Sequence, residues 1–444
     1  MATLSTRRWP GYVAVWRWHF YAGLLCIPFV LWLALTGAAY LFRPQVEALI
    51  DRPYAHVAGA GPRASAAAQV DAALRAVPGA VLHRYQMPDT PEQAVQVIVG
   101  VHGRETRVYV HPQTLAVLKT VGEQNRLMRV VFRLHGELLA GNVGSYVVEL
   151  AASWTIVMVL SGLFLWWPRS GALAGVVYPR LHAGGRRFWR DLHGVSGFWV
   201  SAMTLLLLVS GLPWAKSWGT YLKTARTMVE GSPVRQDWTI GAGAGGTRAM
   251  EDAHAEHGGM TMDHPRQSYG PLDRMVATVK PLDLAPPVLI APPAGMGQPW
   301  TAKSDSADRP LRTDLELDAT GRIVSRKDFA QRRLVDRIVG YGVALHEGAL
   351  YGWLNQLVNL LTALGLMLLA ISSVVLWWRR RPDGVLGAPH GRPRPALAVG
   401  LVAVIVLLGV LLPLFGVSLV AVLLFERLVL TRLPGARRWL GLAG

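Results

Sequence analysis

The sequence predicts a membrane protein with an all-α core of four spanning helices and a C-terminal helical hairpin, carrying two small α+β domains outside the lipid. Three observations predict it. Of 444 residues, 52% are hydrophobic and only 16% charged, the balance of an integral membrane chain. Four apolar runs are each ~20 residues or longer, enough to cross ~30 Å of hydrocarbon at 1.5 Å per residue. Between them lie long segments of short alternating runs separated by Pro, Gly and Asp turns, the pattern of small water-facing domains.

The runs come in two matched pairs. Val130–Trp167 places His135 ahead of an apolar run that ends in Leu-Trp-Trp before Arg169. Tyr341–Arg381 repeats the plan with His346 and with Leu-Trp-Trp before Arg379. In both copies a Gly follows the His by six residues, at Gly141 and Gly352. The chain therefore reads as two copies of span, outer domain, span, both with the same orientation. The second copy is longer, and the Gly- and Ala-rich stretch Gly241–Gly259 is expected to hold its insertion.

In order, a first transmembrane helix is expected within 1–43, running from about His19 to Phe42. An outer domain follows over 44–141, a second helix over 142–168 and a cytoplasmic loop over 169–190. The third helix covers 191–214, the second outer domain 215–345, the fourth helix 346–378 and a further cytoplasmic loop 379–395. A hairpin over 396–430 and a basic tail over 431–444 complete the chain. Trp16, Trp18, Trp166, Trp167, Trp214, Trp218, Trp377 and Trp378 mark the ends of the runs, where amphipathic indoles prefer the interface. No small-residue cleavage site follows the first run, so Leu24–Phe42 reads as a retained anchor.

The net charge of +17 raises nucleic acid as a partner. The arginines cluster beside apolar runs, however, which makes them topology determinants and leaves the lipid bilayer as the partner. Arg7, Arg8 and Arg17 precede the first run. Arg180, Arg186, Arg187 and Arg190 fill the loop after the second, and Arg379, Arg380 and Arg381 follow the fourth. The positive-inside rule puts these segments in the cytoplasm and both long segments outside, in the periplasm of a bacterial inner membrane. The last apolar block, Ala396–Phe425, is interrupted by Pro413 and Gly416. A hairpin keeps the arginines beyond it inside; a single kinked helix would put them outside.

The outer segments have soluble texture. Ala64–Val77 predicts a helix stopped by Pro78-Gly79, followed by strands at Val81–Gln86, Ala94–Val101, Thr106–Val110 and Leu115–Thr120. In the second segment Leu272–Val279 predicts a helix, with strands at Val288–Ile290, Leu311–Leu317 and Ile323–Ser325. Each segment is expected to be a small α+β unit.

Four histidines stand at equivalent span ends: His19 and His193 at the inner face, His135 and His346 at the outer. Bis-imidazole ligation of a b-type haem needs two neutral imidazoles on opposite sides of the porphyrin, and different helices of a bundle can supply them. Gly23 and Gly197 lie one turn on from His19 and His193, where a side chain would obstruct a macrocycle. Gly136, Gly141, Gly348 and Gly352 crowd the outer pair likewise. A lone His at a membrane rim is more often satisfied by water and headgroups. Four at repeat-equivalent positions, each beside Gly, favour ligation. Depth pairs His19 with His193 and His135 with His346, which gives a four-helix haem-binding bundle with two haem b groups and an electron path across the bilayer. Cys26 is the only cysteine and no Cys-x-x-Cys-His occurs, so haem would be held without thioether bonds. No dinucleotide fingerprint follows a strand, so the electron donor is separate, a quinol or a cytoplasmic flavin reductase.

Trp18-His19 with Gly23, Val110-His111-Pro112-Gln113-Thr114, Phe132-Arg133-Leu134-His135, Ser161-Gly162-Leu163-Phe164-Leu165-Trp166-Trp167-Pro168-Arg169 and Trp189-Arg190-Asp191-Leu192-His193 together resemble the PepSY-associated transmembrane family. That family includes inner-membrane siderophore-iron reductases with periplasmic PepSY domains. The resemblance covers essentially the whole chain. It implies two PepSY-like domains, haem b and reduction of Fe(III) to Fe(II) in a periplasmic ferric siderophore, so that iron is released for uptake. His111 departs from the pattern, since the family often has Asp before Pro.

Other features stay open. Met250–His264 gathers His254, His257, Met260, Met262 and His264, which suits soft metals such as Cu(I) or is a polar linker. Copper or another metal chelate is therefore an alternative substrate. Asn355 and Asn359 share a helix face, toward haem propionates or toward interhelical hydrogen bonds. Glu149 is proton-linked or interfacial. His56, His83, His102, His111, His182 and His390 have no partner pattern and read as surface residues. No residue is assigned a catalytic role, since G-x-S-x-G and H-E-x-x-H patterns are absent. The competing function is a non-redox membrane protein whose outer domains sense or regulate a periplasmic partner.

Overall fold

The computed structural model describes residues 12–57, 59, 61–168, 173–230, 269–295, 297–389 and 399–442. In chain order these form α1 (Tyr12–Leu41), α2 (Arg43–Ala55), α3 (Ala66–Ala76), β1 (Val81–Gln86), β2 (Val95–Val101), β3 (Arg104–Val110) and β4 (Val117–Gly122). Next come α4 (Leu127–Glu137), α5 (Gly141–Trp166), α6 (Gly185–Gly211), α7 (Lys216–Glu230) and α8 (Pro271–Val279). Then follow β5 (Val288–Ala291), β6 (Trp300–Ser304), β7 (Thr313–Leu317), β8 (Ile323–Asp328) and α9 (Leu334–His346). The last helices are α10 (Trp353–Arg380), α11 (Val399–Leu411), α12 (Pro413–Leu428) and α13 (Pro434–Leu440). The chain divides into a helical unit, drawn from 1–39, 133–234 and 357–444, and a sheet unit, drawn from 40–132 and 235–356.

Among the described residues of the helical unit, five helices are long and apolar enough to cross a membrane: Tyr12–Leu41, Gly141–Trp166, Gly185–Trp214, Trp353–Arg380 and Pro413–Arg432. The chain is a multi-pass membrane protein. The two sequence copies become two packed pairs. α1 lies on α5, where Cys26 is fully buried and its thiol faces the Ala151 carbonyl. α6 lies on α10, so closely that a Cβ at Gly365 would run into Val200. The pairs are joined through α5 and α6, where Trp166 and Phe198 stack with centroids 4.1 Å apart.

The C-terminal block differs from two short helices, because α12 and its extension to Arg432 reach membrane length alone. Pro413 lacks an N–H and starts a new helix at α12. The chain folds back there so tightly that a Cβ on Gly416 would meet the Gly409 carbonyl. Trp154 fixes α12 against α5, donating to Ser418 Oγ at 3.0 Å and lying edge-on to buried Phe415. Beyond it, Leu386 N donates to Trp439 O in α13 at 2.8 Å, and Arg17 donates to Gly441 O. The chain after α12 thus returns to the loop that follows α10, so α11 and α12 leave and re-enter one face of the unit.

Among the described residues the sheet unit holds one antiparallel sheet of eight strands in the order β4-β3-β2-β1-β5-β6-β7-β8. The sequence expects two separate α+β domains. The structure has two halves, each a helix followed by a four-stranded meander, joined where Tyr85 pairs with Ile290 and Gln86 with Leu289. Joining β1 to β5 removes two exposed strand edges that isolated halves would leave unpaired. α3 and α8 bury Val70, Ala73, Leu272 and Met275 in the same core as Leu82, Tyr85, Val97, Ile290 and Leu315. Asp273 of α8 accepts from Ala66 N at 2.6 Å, capping α3 from the other half of the chain. β6 escaped the sequence reading because its inward residues after Trp300 are Ala302 and Ser304, too small or too polar to mark an alternation.

Candidate functional site

His19 sits near the start of α1 and His193 near the start of α6, the same place in the two copies. Each ring is held by the second helix of its own copy. His19 Nδ1 lies 2.9 Å from Ser161 Oγ on α5, and His193 Nδ1 lies 3.2 Å from both Ser372 Oγ and Leu369 O on α10. α5 carries Ser161 against His19 and Trp166 against Phe198 of α6, the helix that bears His193, so the inner histidines come from two helix pairs that pack on each other in an apolar bundle. Gly162 matters here, since a Cβ on it would stand 3.2 Å from His19 Cε1 and press on the ring.

His135 lies near the end of α4 and belongs to the helical unit. Its Nδ1 is 3.0 Å from Thr36 Oγ1 on α1, and a Cβ at Gly37 would come 3.2 Å from its Cε1. Trp32 adds a second tie by donating to Leu134 O at 3.0 Å. His346 ends α9 in the sheet unit. There Asn355 stabilises the turn that follows, accepting from Leu350 N and donating to Leu345 O. This local bond answers for Asn355, while Asn359 is buried in α10.

The glycines divide by role. Gly23 faces Met158 of α5, whose methyl would be 3.7 Å from a Cβ, and Gly197 faces Leu369 of α10 at 3.4 Å. Their space is filled by the neighbouring helix. Gly141 and Gly352 both have φ of +57°, in the left-handed region; Gly141 opens α5 and Gly352 immediately precedes α10. The recurrent glycine six residues after each outer His is thus a turn requirement.

Glu149 on α5 is 2% exposed and accepts from Ser217 N at 2.9 Å and Trp218 N at 3.2 Å, satisfying the free N–H groups at the start of α7. It is a helix cap supplied from another helix. His83 and His111 are not surface residues. His83 occupies a bulge in β1, folded over Gly100 with Nδ1 2.9 Å from Glu105 Oε1. His111 is buried, and its Nδ1 accepts from Gln113 N and Thr114 N at 3.2 Å each, doing for this turn what an Asp carboxylate would do. No sequence period marks either residue, because both are set by turn and bulge geometry.

Charge in the sheet unit is organised around Glu105 and Glu123. Burial would raise Glu105, but the hydrogen bond from His83 and the charge of Arg84 outweigh it and hold the carboxyl below the usual range. Burial likewise opposes ionised Glu123, and Arg107 and Arg126 overcome it. Arg107 also donates to Gln86 and Gln96, so its guanidinium is shared by strand and loop. Burial, then Asp51, pushes the Tyr109 hydroxyl up.

His254, His257, Met260, Met262 and His264 lie outside the described residues. Among the described residues no group of three or more His, Cys, Asp or Glu is placed to hold a metal ion. Sequence reasoning passed over Ser161, Ser372, Thr36 and Gly37 as partners of the histidines. A signal existed: Ser161 and Ser372 each stand four residues before a Leu-Trp-Trp, and Thr36 follows His19 by the spacing that separates His193 from Ser210. The family model for the PepSY-associated TM region matches residues 16–380. No curated protein matches the chain.

Proposed function

Since this chain belongs to the PepSY-associated TM family, we propose that it is a di-haem b reductase of the bacterial inner membrane. It passes electrons outward to a ferric siderophore in the periplasm. The observation that carries the reading is the placement of His19 and His193, one from each copy, at equivalent places on α1 and α6, helices of membrane length that share α5 as a neighbour. The donor set fits haem b: each ring is tied at Nδ1, so Nε2 is left to act as a neutral nitrogen ligand, and Gly162 keeps a methyl off the His19 ring. His19 and His193 would hold the inner haem. The outer haem is assigned to His135 and His346 on the sequence repeat.

When bound, such a haem would supply one-electron transfer. The residues of the chain do the rest. Histidine side chains from separate helices fix the ligand positions, and the apolar faces of α1, α5, α6 and α10 keep water from the path. The sheet unit, in the periplasm, would receive the chelate, where one electron converts Fe(III) to the more weakly held Fe(II). Electrons enter from a quinol or a cytoplasmic flavin reductase, since the chain has no nucleotide-binding fingerprint.

The reading is tested in vesicles carrying the full chain with dithionite sealed inside and a ferric siderophore outside. External Fe(II), trapped by a coloured chelator, should form well above empty vesicles and fall to background with His19→Ala or His193→Ala. Equal rates in loaded and empty vesicles would refute it.

A further inference from the structure

The hydroxyls beside the histidines each reach a carbonyl of their own helix. Ser161 Oγ lies 3.1 Å from Met158 O, Ser372 Oγ 3.0 Å from Leu369 O and Thr36 Oγ1 2.7 Å from Trp32 O. A hydroxyl has one hydrogen to give, so one that gives it to this carbonyl can only accept from the imidazole. For His193 the neighbouring carbonyl sets the tautomer, because Leu369 O, 3.2 Å from Nδ1, has no proton to offer, so Nδ1 carries the hydrogen and Nε2 does not. His19 and His135 face a hydroxyl of the same kind through Nδ1.

We infer that Ser161, Ser372 and Thr36 are positioning residues that fix this tautomer and ring angle and so choose Nε2 as the nitrogen presented to iron. The inference rests on the haem reading above and adds to it which residues tune the ligands. A neutral hydroxyl acceptor withdraws the Nδ1 proton only weakly. The imidazole stays a neutral ligand, and the reduction potential stays above that of a histidine paired with a carboxylate. Ser161 and Ser372 occupy equivalent places in the two copies, so the inner site is tuned alike from both sides.

The test uses full-length protein in detergent, with haem content, redox titration of each haem band and the low-spin ferric resonance as readouts. Ser161→Ala and Ser372→Ala should raise the potential of the inner haem and shift its resonance, with Ser161→Thr restoring both. Ser161→Asp should lower the potential. Thr36→Val, which keeps the shape, should move the outer haem only, with Thr36→Ser restoring it. Loss of haem in an Ala variant with rescue by Thr also supports the assignment. Loss in the Ala and Thr variants alike, or potentials and resonances unmoved in Ala, Val and Asp variants, overturns it while leaving the haem reading in place. A wild-type protein without haem overturns both.

Discussion

The indole N–H of Trp166 donates to the carbonyl of Val176 at 2.9 Å, closing the loop after α5 onto the helix that precedes it. Trp377 does the same to Leu386 at 2.8 Å after α10. In the duplicated Leu-Trp-Trp the first tryptophan makes this bond, while the second, Trp167 or Trp378, is 67% or 70% exposed. Trp166→Phe and Trp377→Phe keep a ring but lose this bond. Each should cost about 1 kcal/mol, seen as a lower unfolding midpoint and faster proteolysis of the loop. Trp378→Phe should leave both unchanged.

A second expectation concerns Glu149. It caps α7 through two backbone N–H groups, so Glu149→Ala leaves both without their partner in a buried place. The loss should be about 1–2 kcal/mol, with Glu149→Gln, which keeps one acceptor oxygen, retaining much of it. Thermal unfolding in detergent reads both. A group that carried protons would instead show its effect in the pH dependence of reduction, with stability untouched.

The turn glycines give a third. At φ of +57° a Cβ is strained, so Gly141→Ala and Gly352→Ala should each destabilise by about 1–2 kcal/mol. Nothing lies within 4 Å of a Cβ at either position, so the backbone alone sets the loss. Gly435→Ala, a helical position with the same open space, is the control and should be neutral or stabilising.

Acid should weaken the sheet unit. Glu105 and Glu123 are held below their ordinary value of 4.5, so folding favours their ionised forms. The unfolded chain then binds more protons than the folded one as pH falls through and below 4.5. The stability these groups contribute is complete above that value and is lost beneath it. The unfolding midpoint should therefore drop steeply on the acid side. Glu105→Gln with Glu123→Gln should flatten that drop while lowering the midpoint at pH 7.

These features show what the sequence could carry. Apolar length and arginine placement located α1, α5, α6 and α10, because a bilayer demands both at once. The repeat located His19 and His193, since duplication preserves spacing. What the sequence did not show depends on contacts far apart in the chain. Pairing of β1 with β5 leaves no local mark, and neither does the capping of α7 by Glu149. Gly23 and Gly197 stood at the right spacing to clear a ring, yet they face Met158 and Leu369, while Gly162 and Gly37 are the ones set against His19 and His135. Period identifies a helix face, but only packing says which neighbour that face meets.

The most direct test of the central claim is the reduced-minus-oxidised absorption spectrum of the purified full-length protein, with haem per chain counted on the same sample. Two haem b groups per chain are predicted, and His19→Ala or His193→Ala should remove one of them. A colourless protein, or four histidine variants that all keep their full haem, would contradict it.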